Sequence, residues 1–162
     1  MKAGVITCSN RSAAGERADD SGVLAAQLLG AAGHDVVGTA IVPDDIARIR
    51  SAVRAALELG ARLVVTTGGT GLTPTDVTPE AVGPMLEREI PGIAETIRAA
   101  SRDRVPTSIL SRGVVGTIGG SVVVTLPGSP GGVRDGLAVV LPIIDHLLDQ
   151  LGGGDHRVGG GV

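Results

Sequence analysis

A glycine–threonine loop and two aspartates have the types and spacing that suit chemistry. The loop is TTGGTGLTPTD, Thr66 to Asp76, and it follows the short apolar run ARLVV. Glycines after a strand let backbone N–H groups approach an anion closely, and threonine hydroxyls add donors. Gly68, Gly69, Thr70 and Gly71, with Thr73 and Thr75 behind them, therefore suit a phosphate or a polar ring. The same residues also suit a plain strand-to-helix turn, where glycine supplies positive φ. Asp76 ends the loop, and Asp44 lies in the turn VPDD. Two carboxylates beside a phosphate repel it unless a cation sits between them. Mg²⁺ is the natural one, because it takes one or two carboxylates plus substrate phosphates. On residue type alone, Asp44 reads first as a helix N-cap, and Asp76 reads equally as a turn residue. Asp19, Asp20 and Asp45 are alternative carboxylates.

Two familiar nucleotide loops are excluded. A P-loop needs G-x-x-x-x-G-K, and Lys2 is the only lysine. A dinucleotide fingerprint needs G-x-G-x-x-G, whereas Pro74 stands where its last glycine would fall after Gly69 and Gly71. Among other candidates, Cys8 at a strand end reads as a small buried hydrophobe rather than a nucleophile. His34, His146 and His156 are too scattered for zinc. Arg112 in SILSRG is a loop cation able to reach an anion or to stay solvated. Ser129 in LPGSPGG is first an N-cap, and the helix start it caps is also a phosphate position.

The elements that must position these loops alternate. Residues 2–8 read as a strand, and Asp20 or Ser21 caps a helix to about Ala32. Residues 35–42 are β-branched and read as a second strand. Asp44 then starts a helix whose stripe is Ile46, Ile49, Val53 and Leu57, closed by Gly60. Arg62 to Val65 reads as a central, parallel strand. Thr78 is the expected N-cap of the next helix, with Pro79 at its first position. Pro91-Gly92 opens another helix, to about Asp103, and VPTSILSRG reads as irregular. Two β-branched runs flank Gly119-Gly120, a hairpin signal. Ser129-Pro130 starts one long last helix, with its stripe running from Val133 to Leu151. The order predicts an α/β fold: a mostly parallel sheet covered on both faces, with an antiparallel hairpin toward one edge. Ligands in such folds sit beyond the carboxyl ends of the strands.

Composition narrows the function classes. The 162 residues fit one domain, expected at 1–151, with a flexible glycine-rich tail at 152–162. There is no Phe, Tyr or Trp, so the core is aliphatic and no aromatic platform exists for base stacking. The net charge of −3 gives no field for nucleic acid. No apolar run reaches membrane-spanning length, and a lone cysteine fits a reducing, cytoplasmic setting.

Taken together, TTGGTG-x4-D-x-TPEA, the preceding PDD turn, ITCSNRSAAGERADDSG, PGIAETIR, PTSILSRGVVG and LPGSPGGVRDGL resemble the molybdopterin-binding domain of molybdenum-cofactor biosynthesis. The similarity runs from about Val5 to Leu151 and is greatest to the short Mog/MoaB type, which is also similar to the gephyrin G domain. The resemblance implies a three-layer α/β/α sandwich that assembles as a homotrimer. It implies a molybdopterin adenylyltransferase that uses Mg²⁺, transfers AMP from ATP to the molybdopterin phosphate and releases pyrophosphate. The product would pass to a molybdenum insertase partner. The family's functional aspartates fall on Asp44 and Asp76, as catalytic and metal-holding residues. Its ligand contacts fall on Ser9, Gly68, Gly69, Thr70, Gly71, Thr75, Ser111, Arg112, Gly128 and Ser129. Asn10 stands where the family often has Asp. The competing reading is a non-catalytic molybdopterin carrier of the same pathway. An insertase reading needs further domains, for which 162 residues leave no room.

Overall fold

A computed structural model of the chain describes residues 1–154. Its centre is a six-stranded sheet ordered β2-β1-β3-β6-β5-β4. The strands are β1 (Lys2–Cys8), β2 (Asp35–Val42), β3 (Leu63–Thr67), β4 (Arg88–Glu89), β5 (Val115–Ile118) and β6 (Ser121–Leu126). The first three and β6 pair in parallel, and β5 and β4 run antiparallel at the far edge. Val64, for example, lies between Gly4 of β1 and Val123 of β6. All five residues of β3, LVVTT, are buried, which is why the strand shows an apolar run closed by two threonines rather than an in–out alternation.

The helices are α1 (Asn10–Ala13), α2 (Asp20–Ala31), α3 (Ile46–Glu58), α4 (Thr78–Val82), α5 (Pro91–Ala100), α6 (Pro130–Val140) and α7 (Ile144–Leu151). One aliphatic core lies between the sheet and α2, α5, α6 and α7, around Leu29, Leu63, Leu126 and Leu137. The other lies between the opposite sheet face and α3 and α4, around Ile6, Ile49, Val53 and Val64. Each fully buried side chain of this size contributes about 1.5–3 kcal/mol of transfer free energy. Two aliphatic layers thus replace the missing aromatics.

Several expected boundaries shift, each for a local reason. Asp19, not Asp20 or Ser21, caps α2 by accepting from Gly22 N at 2.8 Å. Asp45, not Asp44, caps α3 by accepting from Arg48 N at 2.9 Å. Thr78 does not cap α4: Val77 holds that position with no side-chain bond. That helix gives way to a 3₁₀ turn at Gly83–Met85 around Pro84, and β4 follows before Pro91. The helix from Pro91 ends at Ala100 rather than near Asp103. The long last helix is two, α6 and α7, interrupted where Pro142 lacks the N–H an interior position requires. The irregular VPTSILSRG contains a 3₁₀ turn at Pro106–Leu110. Residues 152–154 finish α7 with bonds such as Gly152 N to Leu148 O, 3.1 Å; the rest of the expected flexible tail, 155–162, lies outside the described residues.

Candidate functional site

Strand order reverses between β1 and β3, because β2 lies on one side of β1 and β3 on the other. Such switch points open a crevice at the carboxyl ends of the strands. A cavity of about 390 Å³ sits there. The end of β1 lines it with Cys8 and Ser9, the turn after β2 with Asp44, the loop after β3 with Gly68, Gly69, Thr75 and Asp76, and the loop after β6 with Gly128.

The glycine–threonine loop takes its path from close approaches. Gly68 has φ +98°, and a Cβ there would lie 2.2 Å from the Cys8 carbonyl oxygen. Gly69 has φ +64°, and a Cβ there would lie 2.4 Å from Thr78 Oγ1. Only glycine meets both conditions. Thr78 then pins the loop twice: its N–H donates to Gly69 O at 3.0 Å and its hydroxyl to Gly68 O at 2.8 Å. The base of the loop is tied to β6 by Gly68 N to Leu126 O, 3.0 Å, and to the next loop by Thr67 Oγ1 to Pro127 O, 2.8 Å. Among the described residues, the N–H groups of Gly69, Thr70 and Gly71 donate to no protein acceptor.

The two aspartates flank those free N–H groups. A Cβ on Gly69 would be 3.1 Å from Asp44 Oδ1, and one on Gly71 would be 2.8 Å from Asp76 Oδ2. Asp44 Oδ2 accepts from Asn10 N at 2.9 Å, and Asn10 Oδ1 accepts in return from Asp44 N at 3.0 Å. Asp76 Oδ2 accepts from Thr73 N at 2.8 Å and from Thr73 Oγ1 at 2.7 Å. Each carboxylate therefore uses one oxygen to fix itself and keeps the other uncommitted among the described residues. Of the rival carboxylates, Asp19 and Asp45 serve as caps, while Asp19 and Asp20 line the same cavity as Asp44 and Asp76. Asp19 also accepts from Thr7 Oγ1 at 2.7 Å. No group of three or more His, Cys, Asp or Glu suited to a metal occurs among the described residues. A donor set of two carboxylates fits a cation that completes its shell with water and substrate oxygens, as Mg²⁺ does.

A second cavity, of about 460 Å³, lies on the other side of the loop. Thr70, Gly71, Ser111 and Ser129 line it, so the sequence candidates divide between two neighbouring spaces. Its walls include Val105, Leu110 and Pro127, with Arg104 and Arg134 at its margin. Arg104 pairs with Asp135 at 2.6 Å, and Ser101 Oγ donates to the same Asp135 oxygen at 2.5 Å. The Ser101 bond, then the arginine, holds the Asp135 carboxyl below its ordinary range. Ser129 caps α6, accepting from Gly132 N at 3.1 Å. Ser9 likewise caps α1, accepting from Ser12 N at 3.2 Å.

Two candidates sit differently from the rest. Arg112 lines neither cavity; its guanidinium turns back onto the loop, with Nε donating to Gly71 O at 2.8 Å and Nη2 to Asp76 O at 2.7 Å. Cys8 is 2% exposed, and burial pushes its thiol up to about 12, so it offers no thiolate. Sequence reasoning did not single out Arg11 and Arg17 of the first loop, which line the first cavity, nor Arg104 and Asp135 of the second. Arg11 lies next to Ser9 and Asn10 and was legible by proximity; Arg104 and Asp135 are 31 positions apart and had no local signal.

The chain resembles known proteins along most of its length. Residues 4–146 match the family model described as "Probable molybdopterin binding domain". A molybdopterin adenylyltransferase of Pyrococcus furiosus is 40% identical, over 91% of this chain and 89% of its own. A molybdenum cofactor biosynthesis bifunctional protein of Synechococcus elongatus is also 40% identical, over 94% of this chain. The chain spans about half the length of that relative, 48%. A crystal structure of a molybdopterin biosynthesis protein from Mycobacterium abscessus superposes with a TM-score of 0.88 at 43% identity, covering 94% of this chain and 96% of the other.

Proposed function

The chain belongs to the molybdopterin-binding domain family of molybdenum-cofactor biosynthesis, and from that membership and the site's geometry we propose that it is a molybdopterin adenylyltransferase. The observation that carries this reading is the set of three unused N–H groups, at Gly69, Thr70 and Gly71, flanked by two half-committed carboxylates. A carrier needs the first feature and has no use for the second.

In the proposed reaction, an oxygen of the molybdopterin phosphate forms a bond to the α-phosphorus of ATP. The bond from that phosphorus to the bridging oxygen breaks, and pyrophosphate leaves with the electron pair. Two anions must meet, so repulsion and misalignment set the barrier. The glycine–threonine loop offers fixed N–H donors to phosphoryl oxygens, which reduces reorganisation as charge shifts. Asp44 and Asp76 would hold Mg²⁺ through their uncommitted oxygens, and the ion would supply charge screening for the phosphates. Asn10 and Thr73 hold the two carboxylates in place. Arg11 and Arg17 add positive charge at the mouth of the cavity. Cys8, buried with its thiol pushed up, is not a candidate nucleophile for a covalent intermediate.

We place the phosphates in the first cavity and the pterin ring in the second, whose aliphatic walls suit a planar heterocycle. Ser9, Gly68, Thr75 and Gly128 would then face the nucleotide side, and Ser111 and Ser129 the pterin side. ATP, Mg²⁺, the homotrimer, delivery to a molybdenum insertase and a cytoplasmic setting are parts of the same proposal. The test is to incubate the purified chain with molybdopterin, ATP and Mg²⁺, and to follow adenylated pterin and pyrophosphate in equal amounts. Pterin binding without either product would replace this reading with the carrier.

A further inference from the structure

Arg112 is a loop cation that lines neither cavity. Its backbone N–H donates to Thr70 O at 2.8 Å. Its guanidinium then reaches three acceptors in three directions: Gly71 O at 2.8 Å, Asp76 O at 2.7 Å, and a carboxylate oxygen of Glu80. The segment between these anchor points, residues 72–75, is exposed and carries no regular structure. Pro74 and the bonds between Thr73 and Asp76 shape the turn from within, and they do not tie it to the rest of the fold. Glu80 is itself fixed, because Arg50 of α3 donates to the carbonyls of Glu80 and Ala81 in α4, at 3.1 and 2.9 Å. A chain of contacts thus runs from α3 through α4 and Glu80 to Arg112, and ends on both sides of the loop tip. Beside it, Ser111 Oγ donates to Thr70 Oγ1 at 3.2 Å.

We propose that Arg112 is a positioning residue: with Glu80 it clasps the two ends of the loop tip so that Asp76 faces the first cavity and the free N–H groups of Gly69 to Gly71 stay aligned. The role depends on the planar fork of guanidinium. A lysine keeps the charge and cannot span three separated acceptors from one nitrogen. The clasp is a feature of the ligand-free protein; only its effect on turnover rests on the adenylyltransferase reading.

That separation gives the test. Amide hydrogen exchange is measured on the ligand-free protein for wild type, Arg112→Lys, Arg112→Ala and Glu80→Gln. The Thr73 and Asp76 amides, both bonded inside the tip, should exchange at least tenfold faster in both Arg112 variants and by a smaller factor in Glu80→Gln. Amides of β3 and α3 serve as the folding control and should not change. In turnover, Arg112→Lys should lose kcat nearly as fully as Arg112→Ala. Wild-type exchange at the tip in Arg112→Lys, with only the substrate KM raised, would overturn the clasp and make Arg112 a direct anion contact. If the wild type itself fails to turn over, the exchange measurement still decides the clasp.

Discussion

The two cavities on either side of the glycine–threonine loop are close in size and opposite in construction. The first, about 390 Å³, is built from loops that leave the carboxyl ends of parallel strands, and it is polar, lined by Asp19, Asp20, Asp44 and Asp76 and by Arg11 and Arg17. The second, about 460 Å³, is built from the 3₁₀ turn at Pro106–Leu110 and the start of α6, and it carries aliphatic walls and arginines. The contrast teaches that one loop can serve two chemistries. Its N–H groups and flanking aspartates suit phosphates, and its opposite side suits a ring. Substitutions in the two cavities should therefore damage different steps.

The largest expected effect is in the first cavity. Asp76→Asn keeps an acceptor for Thr73 and removes the charge, so the fold and pterin binding should persist. The rate of adenylation should fall at least 100-fold, about 2.7 kcal/mol of transition-state stabilisation. Full activity in that variant, measured as pyrophosphate release, would remove Asp76 from the metal-holding role proposed for it.

Next comes the loop that separates the two spaces. Gly69→Ala adds a Cβ 2.4 Å from Thr78 Oγ1 at φ +64°. Stability should fall by about 1–3 kcal/mol, and both ligands should bind less well. Urea unfolding followed by far-UV circular dichroism measures this, since the chain has no aromatic fluorophore.

A milder and more selective change is expected in the second cavity. Arg134→Ala should raise the KM for molybdopterin about tenfold, or about 1.4 kcal/mol, with kcat unchanged. A larger effect on the KM for ATP would exchange the contents of the two cavities.

The smallest effect tests the one departure from the family pattern. Asn10 Oδ1 accepts from the Asp44 N–H, and a carboxylate does the same. Asn10→Asp should therefore change turnover and its Mg²⁺ requirement by less than about twofold, because position 10 shapes the loop. A marked gain in Mg²⁺ affinity would instead make position 10 a third metal-holding group.

Much of the first cavity was legible in the sequence. Strands that alternate with helices predict a parallel sheet, and its loops predict where a ligand sits, so TTGGTG, VPDD and SNR were in view from the start. Residue type alone left the role of Asp44 open between cap and ligand. The structure separates the two, because Asp45 takes the cap and leaves Asp44 facing Gly69. Thr78 shows the reverse: a residue with a good cap signature instead donates to Gly68 O. Caps are chosen by where the chain enters the helix, and a neighbouring residue can win by one position. The second cavity was legible only in part: Thr70, Gly71, Ser111 and Ser129 were in view, whereas Arg104, Leu110 and Arg134 come from segments that meet only through packing.

The sequence by itself determined the α/β class, the parallel centre around β3, the aliphatic core and the position of the glycine–threonine loop at a carboxyl end of the sheet. Periodicity and residue type act locally, and a strand or helix signal is complete within about ten residues. Tertiary structure alone decided which aspartates keep a free oxygen, that the loop has a cavity on each side, and that Arg112 turns inward onto Gly71 and Asp76. Those outcomes depend on competition among donors and acceptors brought together from distant positions, and that competition is settled only once the sheet has set the distances.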